Sequence, residues 1–90
     1  MQTAFIFVSI PSDRELRTDL TGKRLLLQGF GHDITRIQEQ YKQVEALAES
    51  VWQIPLHNGL LPLSQFLLSI EKAALKYRVL LVEGELNWLE

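Results

Sequence analysis

The chain contains no cysteine. That excludes both a disulfide framework and a thiolate metal site. Histidine is scarce: His32 and His57 are the only two. Neither belongs to a ligand pattern such as two histidines four apart on a helix. No apolar run approaches the length of a membrane span. The opening residues, MQTAFIFVSIPSD, lack a basic leader, and Pro11 and Asp13 follow the apolar run at once, so they do not read as a signal peptide. Positive charge is not in excess. The net charge of -2 does not favour a nucleic-acid surface, although a local patch can exist on an acidic protein. Repeats, low-complexity segments and linkers are also missing. What remains is an ordinary globular balance, 47% hydrophobic and 22% charged over 90 residues, which suits one domain spanning residues 1–90. The cytoplasm is the expected compartment, with no membrane contact.

Strand and helix patterns fill most of the chain. Thr3 to Ile10 reads as a strand that is apolar on both faces and therefore central, ended by Pro11. Residues 12–31 admit two readings. A helix capped by Ser12 or Asp13 would align Leu16, Leu20 and Leu27, at a cost of about 1 kcal/mol for Gly22 in its interior. The preferred reading is a short helical turn near residues 13–20, then a strand from Lys23 to Phe30. Asp33 to Glu49 reads as a helix, capped by Asp33, with Ile34, Ile37, Tyr41, Val44 and Ala48 on one stripe. Ser50 to Leu56 reads as a strand, and His57-Asn58-Gly59 as a turn. Leu60 and Leu61 could add a short returning strand. Pro62 suits the start of a second helix, whose stripe is Leu63, Phe66, Leu67, Ile70, Ala73, Ala74 and Tyr77.

The last segment, Tyr77 to Glu90, organises the rest. Val79-Leu80-Leu81-Val82 is apolar on both faces, as in a strand that starts inside a sheet. Beyond it, Leu86 and Trp88 alternate with Glu83, Glu85 and Asn87, which suggests a strand running on to Leu89 with one face in water. The whole order predicts an α+β fold. It is a two-layer sandwich with two helices on one face of a small mixed or antiparallel sheet, and ferredoxin-like topology is the most specific expectation.

Chemistry is harder to find. Gly29-Phe30-Gly31-His32-Asp33 could be a phosphate-binding turn before a helix, but a third glycine would fall at Ile34, and Asp33 brings the wrong charge. It reads instead as a turn feeding a helix cap. Arg14, Arg17, Lys23 and Arg24 form a basic group without interleaved aromatics, which suits a solvated face. Ser9, Ser12, Ser50, Ser64 and Ser69 include no nucleophile elbow. No catalytic residue, cofactor or metal site is implied.

The run Ser50-Val51-Trp52-Gln53-Ile54, then an amphipathic helix, then Arg78-Val79-Leu80-Leu81-Val82-Glu83-Gly84-Glu85 with Trp88, resembles a family pattern. It is that of the small ferredoxin-like proteins related to the CRISPR-associated adaptation nuclease subunit. The resemblance covers roughly the last 40 residues. It implies the fold and a link to nucleic acid. Members of that family often carry an aspartate at the end of the first strand. Here that region reads Val8-Ser9-Ile10-Pro11, and the nearest acid is Asp13, so the metal-dependent nuclease chemistry does not carry over.

The expected function is thus a small non-enzymatic interaction or regulatory module, homodimeric and open to a protein partner. Leu86, Trp88 and Leu89 are its interface, since a strand overhanging the sheet leaves them little to bury against. The alternative is a nucleic-acid-binding or nuclease-like protein of the same fold.

Overall fold

A β-rich N-terminal stretch, Gln2–Ser9, forms β1. It is followed by helix α1 (Lys23–Gln40), strands β2 (Glu45–Ala48) and β3 (Val51–Pro55), helix α2 (Leu61–Lys72) and strand β4 (Lys76–Glu83). The computed structural model describes residues 2–12, 22–57 and 59–85. The strands lie in the order β2-β3-β1-β4, with every neighbouring pair antiparallel. This βαββαβ order with β1 and β3 in the middle is the ferredoxin-like arrangement. It forms the expected α+β sandwich with both helices on one face. Among the described residues no helix is long and apolar enough to cross a membrane.

Alternation along β1 decides which face carries the core. Ala4, Ile6 and Val8 point to the helices and are buried, together with Trp52 and Ile54 on β3. Phe30, Ile34 and Ile37 of α1 and Phe66 and Ile70 of α2 close over them. The rings of Phe30, Trp52 and Phe66 meet at the centre. Phe30 stands edge-on to Trp52 at 5.9 Å and to Phe66 at 6.3 Å. Edge-to-face contacts of this kind add to simple burial.

Three expectations need correction. Residues 23–30 are helical, not a strand, and α1 begins at Lys23 rather than Asp33. Leu27, Phe30, Ile34, Ile37 and Tyr41 make one stripe at spacings of three and four, so packing over the sheet outweighs the cost of Gly29 and Gly31 in the helix. Gly22 starts the helix instead, with a left-handed φ of 82° and a carbonyl that accepts from the N–H groups of Leu25 and Leu26. Helix α1 also ends early, at Gln40, where Tyr41 turns extended. Glu45 to Ala48 is a helix-favouring sequence, yet it pairs with β3, Ala46 facing Trp52 across the ladder. Tertiary pairing overrides propensity there. Finally, Leu61 opens α2 and forms no returning strand.

Helix α2 ends in a left-handed residue that is not glycine. Ala74 has φ 57°, and its N–H donates to the Glu71 carbonyl while that of Leu75 reaches the Ile70 carbonyl. Glycine is the usual residue there because a β-carbon crowds the following carbonyl. Ala74→Gly should therefore raise stability by up to about 1 kcal/mol. Urea denaturation would check this, and a loss of stability would contradict the strain.

Candidate interaction surface

The C-terminal strand does not lie inside the sheet. Among the described residues it is an edge, paired on one side only, with β1, through eight consecutive residue pairs from Gln2↔Glu83 to Ser9↔Lys76. The strand ends at Glu83. Gly84 then takes φ 91°, so the expected run to Leu89 is not continued at residues 84–85. The expected interface residues Leu86, Trp88 and Leu89 lie outside the described residues.

The sheet's two edges differ in character. At one, β2 has only four residues and carries a register shift between Ala46 and Ala48. Glu45 opens it and Glu49 follows it. Short length, a bulge and charge are the usual means of blunting an edge. At the other, β4 is eight residues long with no register shift and no proline. It exposes Val79 (37%), Leu80 (55%) and Leu81 (54%) in succession. Leu80 lies on the open face of the sheet and Val79 and Leu81 on the helix face, so the strand is only partly covered on either side. Elsewhere Leu25–Leu26 and Leu60–Leu61 are exposed as adjacent pairs on or beside helices, where no unpaired strand edge accompanies them, and Leu68 sits among Asp33, Arg36 and Lys72.

Charge is ordered along this edge. Lys76 and Arg78 lie at its N-terminal end, Glu83 and Glu85 at or just past its C-terminal end. Gln2 donates to Glu83 at 3.0 Å. On the helix face, Tyr77 donates its hydroxyl to Glu71 at 3.2 Å. Partial burial of the ring and this carboxylate hold the phenol above its ordinary pKa of 10.0, so Tyr77 stays neutral and donating through the physiological range.

The open face carries Thr3, Phe5 and Phe7 of β1, Val51 and Gln53 of β3, and Lys76, Arg78 and Leu80 of β4, as the cross-strand pairs require. Thr3 and Phe5 are buried, whereas Phe7 is exposed. The Gln53 Oε1 is buried there with no donor among the described residues.

The remaining candidates disperse. Gly29 and Gly31 lie inside α1, so the supposed phosphate turn is a stretch of helix. Asp33 is a mid-helix residue and no cap: it pairs with Arg36 at 3.4 Å and with Lys72 of α2 at 3.9 Å, tying the helices together. His32 is exposed on α1 and His57 is exposed after β3. Ser69 is buried and donates to the Gln65 carbonyl at 3.1 Å, a local helix bond. Arg14 and Arg17 lie outside the described residues. Among the described residues no three histidine, aspartate or glutamate side chains gather to hold a metal ion. In comparisons with known proteins, no family model, no curated protein and no solved structure matches this chain.

Proposed function

We infer that the protein is a non-enzymatic interaction module that works as a homodimer, with β4 pairing antiparallel to the β4 of a second copy. The carrying observation is the long edge of β4, free of bulges and apolar at Val79, Leu80 and Leu81 between charged ends, beside a short, bulged edge on the same sheet. A strand that is apolar on both faces yet lies at an edge is explained when a partner strand completes the sheet. Charge order favours the antiparallel sense. It sets Lys76 and Arg78 of one copy beside the Glu83 and Glu85 end of the other, whereas a parallel pair would align like charges. A two-fold axis through Leu80 makes the contact self-complementary, with Val79 facing Leu81 of the second copy. The result is one eight-stranded sheet with all helices on one side. Leu86, Trp88 and Leu89 follow β4 in the sequence and belong to the same proposal as an extension of the contact. The CRISPR-related resemblance is compatible with a paired ferredoxin-like unit but adds no residue to it.

Sedimentation equilibrium tests this on the full chain and on a chain ending at Glu83, each first shown to be folded by circular dichroism. We expect a dimer for the full chain at tens of micromolar. A shortened chain that still dimerises places the contact on β4 alone, and one that does not places it on residues 84–90. A monomeric full chain ends the homodimer reading.

A further inference from the structure

Phe7 is the one aromatic side chain among the described residues that stands well exposed on the open sheet face, at 44%. A large ring left in water at mid-sheet costs solvation energy unless something packs on it. Its cross-strand neighbours are Arg78 on β4 and Val51 on β3. One step along the same face, Lys76 lies opposite Ser9. Phe7, Val8, Ser9, Lys76, Tyr77 and Arg78 line a shallow cleft of about 400 Å³ at this end of the β1–β4 ladder. Among the described residues neither Lys76 nor Arg78 has an ion-pair partner. The described carboxylates near this end of the molecule are turned elsewhere. Glu71 is engaged by Tyr77 on the helix side, and Glu49 lines a separate cavity with Leu27, Phe30 and Trp52. Among the described residues, therefore, two cations without an ion-pair partner flank an exposed ring, on a chain whose net charge is -2.

We propose that this cleft binds single-stranded nucleic acid, with one base stacked on Phe7 and neighbouring phosphates held by Lys76 and Arg78. A flat π-system that carries negative charge at its side satisfies both halves of the cleft at once. Stacking on an aromatic ring is indifferent to sequence, and cations beside it track the backbone. Lys76 and Arg78 project from the same face two residues apart, about 6.6 Å, so they serve two sites along an extended chain rather than one point. A free mononucleotide is the weaker occupant, because small ligands need an enclosing pocket and this surface is open. Duplex is excluded as the preferred form, since its bases are stacked on one another and offer Phe7 no face. The proposal concerns the single chain: in a β4-paired dimer Glu83 and Glu85 of the second copy would lie beside the same two cations, so dimerisation would compete with the nucleic acid.

The test is fluorescence anisotropy of a labelled single-stranded oligothymidylate, with a duplex of equal length and inorganic polyphosphate as competitors. Wild type, Phe7→Leu and Arg78→Gln are compared, each checked for an unchanged melting transition. We expect saturable single-strand binding at low salt and poorer competition by duplex and polyphosphate. Phe7→Leu keeps the apolar bulk and removes the stack, so affinity should fall between about fivefold and a hundredfold. Arg78→Gln should flatten the slope of log affinity against log salt by about 0.7, the share of one phosphate contact on a single strand. No binding at low salt, a folded Phe7→Leu that binds as wild type does, or polyphosphate that competes as well as the oligonucleotide would each overturn the proposal. Sedimentation of the same samples keeps these outcomes separate from the fate of the dimer.

Discussion

Phe66→Ala should cost about 3–5 kcal/mol, among the heaviest losses a core truncation brings. Phe66 is 0% exposed. Its ring lies 5.2 Å from that of Trp52 and 6.3 Å from that of Phe30. These three residues come from α2, β3 and α1, so one ring touches both helices and the sheet. Removing it leaves a cavity that no single element can close by shifting alone. Native domains hold only about 5–15 kcal/mol in total, so the variant should lose much of its cooperative melting transition and the near-ultraviolet signal of its packed aromatics. Leu68→Ala on the same helix is the control. Leu68 is 65% exposed, and its truncation should stay within about 0.5 kcal/mol. A Phe66→Ala protein that melts like the Leu68→Ala protein would mean that the ring cluster is not the keystone of the core.

Leu80→Lys should weaken self-association by about tenfold or more while leaving the fold intact. In the proposed dimer Leu80 meets its own copy across the two-fold axis, so one substitution sets two like charges directly opposite each other, an arrangement that destabilises a strand pair. Each change therefore counts twice. In the lone chain Leu80 is more than half exposed, and a lysine there disturbs little. Leu25→Lys, at an even more exposed position on α1, should leave association unchanged. Sedimentation equilibrium of both variants decides between them. A Leu80→Lys chain that associates as tightly as the parent would move the interface off β4.

Much of the architecture was legible because the residues agree with their surroundings. The run Phe5 to Val8 is apolar on both faces and lies where such a strand should, between β3 and β4. The stripe through Phe66 and Ile70, with Pro62 at its start, marks α2, although the helix ends at Lys72 and Tyr77, read as the end of that stripe, lies in β4. The failures share one cause: local signals lost to distant partners. Gly29 and Gly31 resemble a loop until Leu27 and Phe30 are seen to continue the stripe of Ile34 and Ile37. Glu45 to Ala48 favours a helix until Trp52 and its strand are placed beside it. The same holds for the candidate surfaces. Val79 to Leu81 reads as a buried strand, because a pattern of apolar residues records burial without saying whether the cover belongs to the same chain. Phe7 and its two cations are about seventy positions apart in sequence, and no spacing rule links them. Only the β1–β4 ladder brings them together.

That ladder also sets the order of events at synthesis. β1 occupies the middle of the sheet, yet its neighbours are β3 and β4, and β4 contains residues 76–83. A chain emerging from the ribosome therefore carries its most apolar strand long before either flank can be filled. It can build α1 and later the β2–β3 hairpin, but the core stays open on one side until residue 83 is free of the exit tunnel. Closing contacts of such long sequence separation is slow. During that interval the sequence FIFV of β1 is an unpaired strand in a crowded solution, the kind of segment that seeks other chains. Nascent molecules would thus depend on holding factors to an extent that the stability of the finished domain does not reveal.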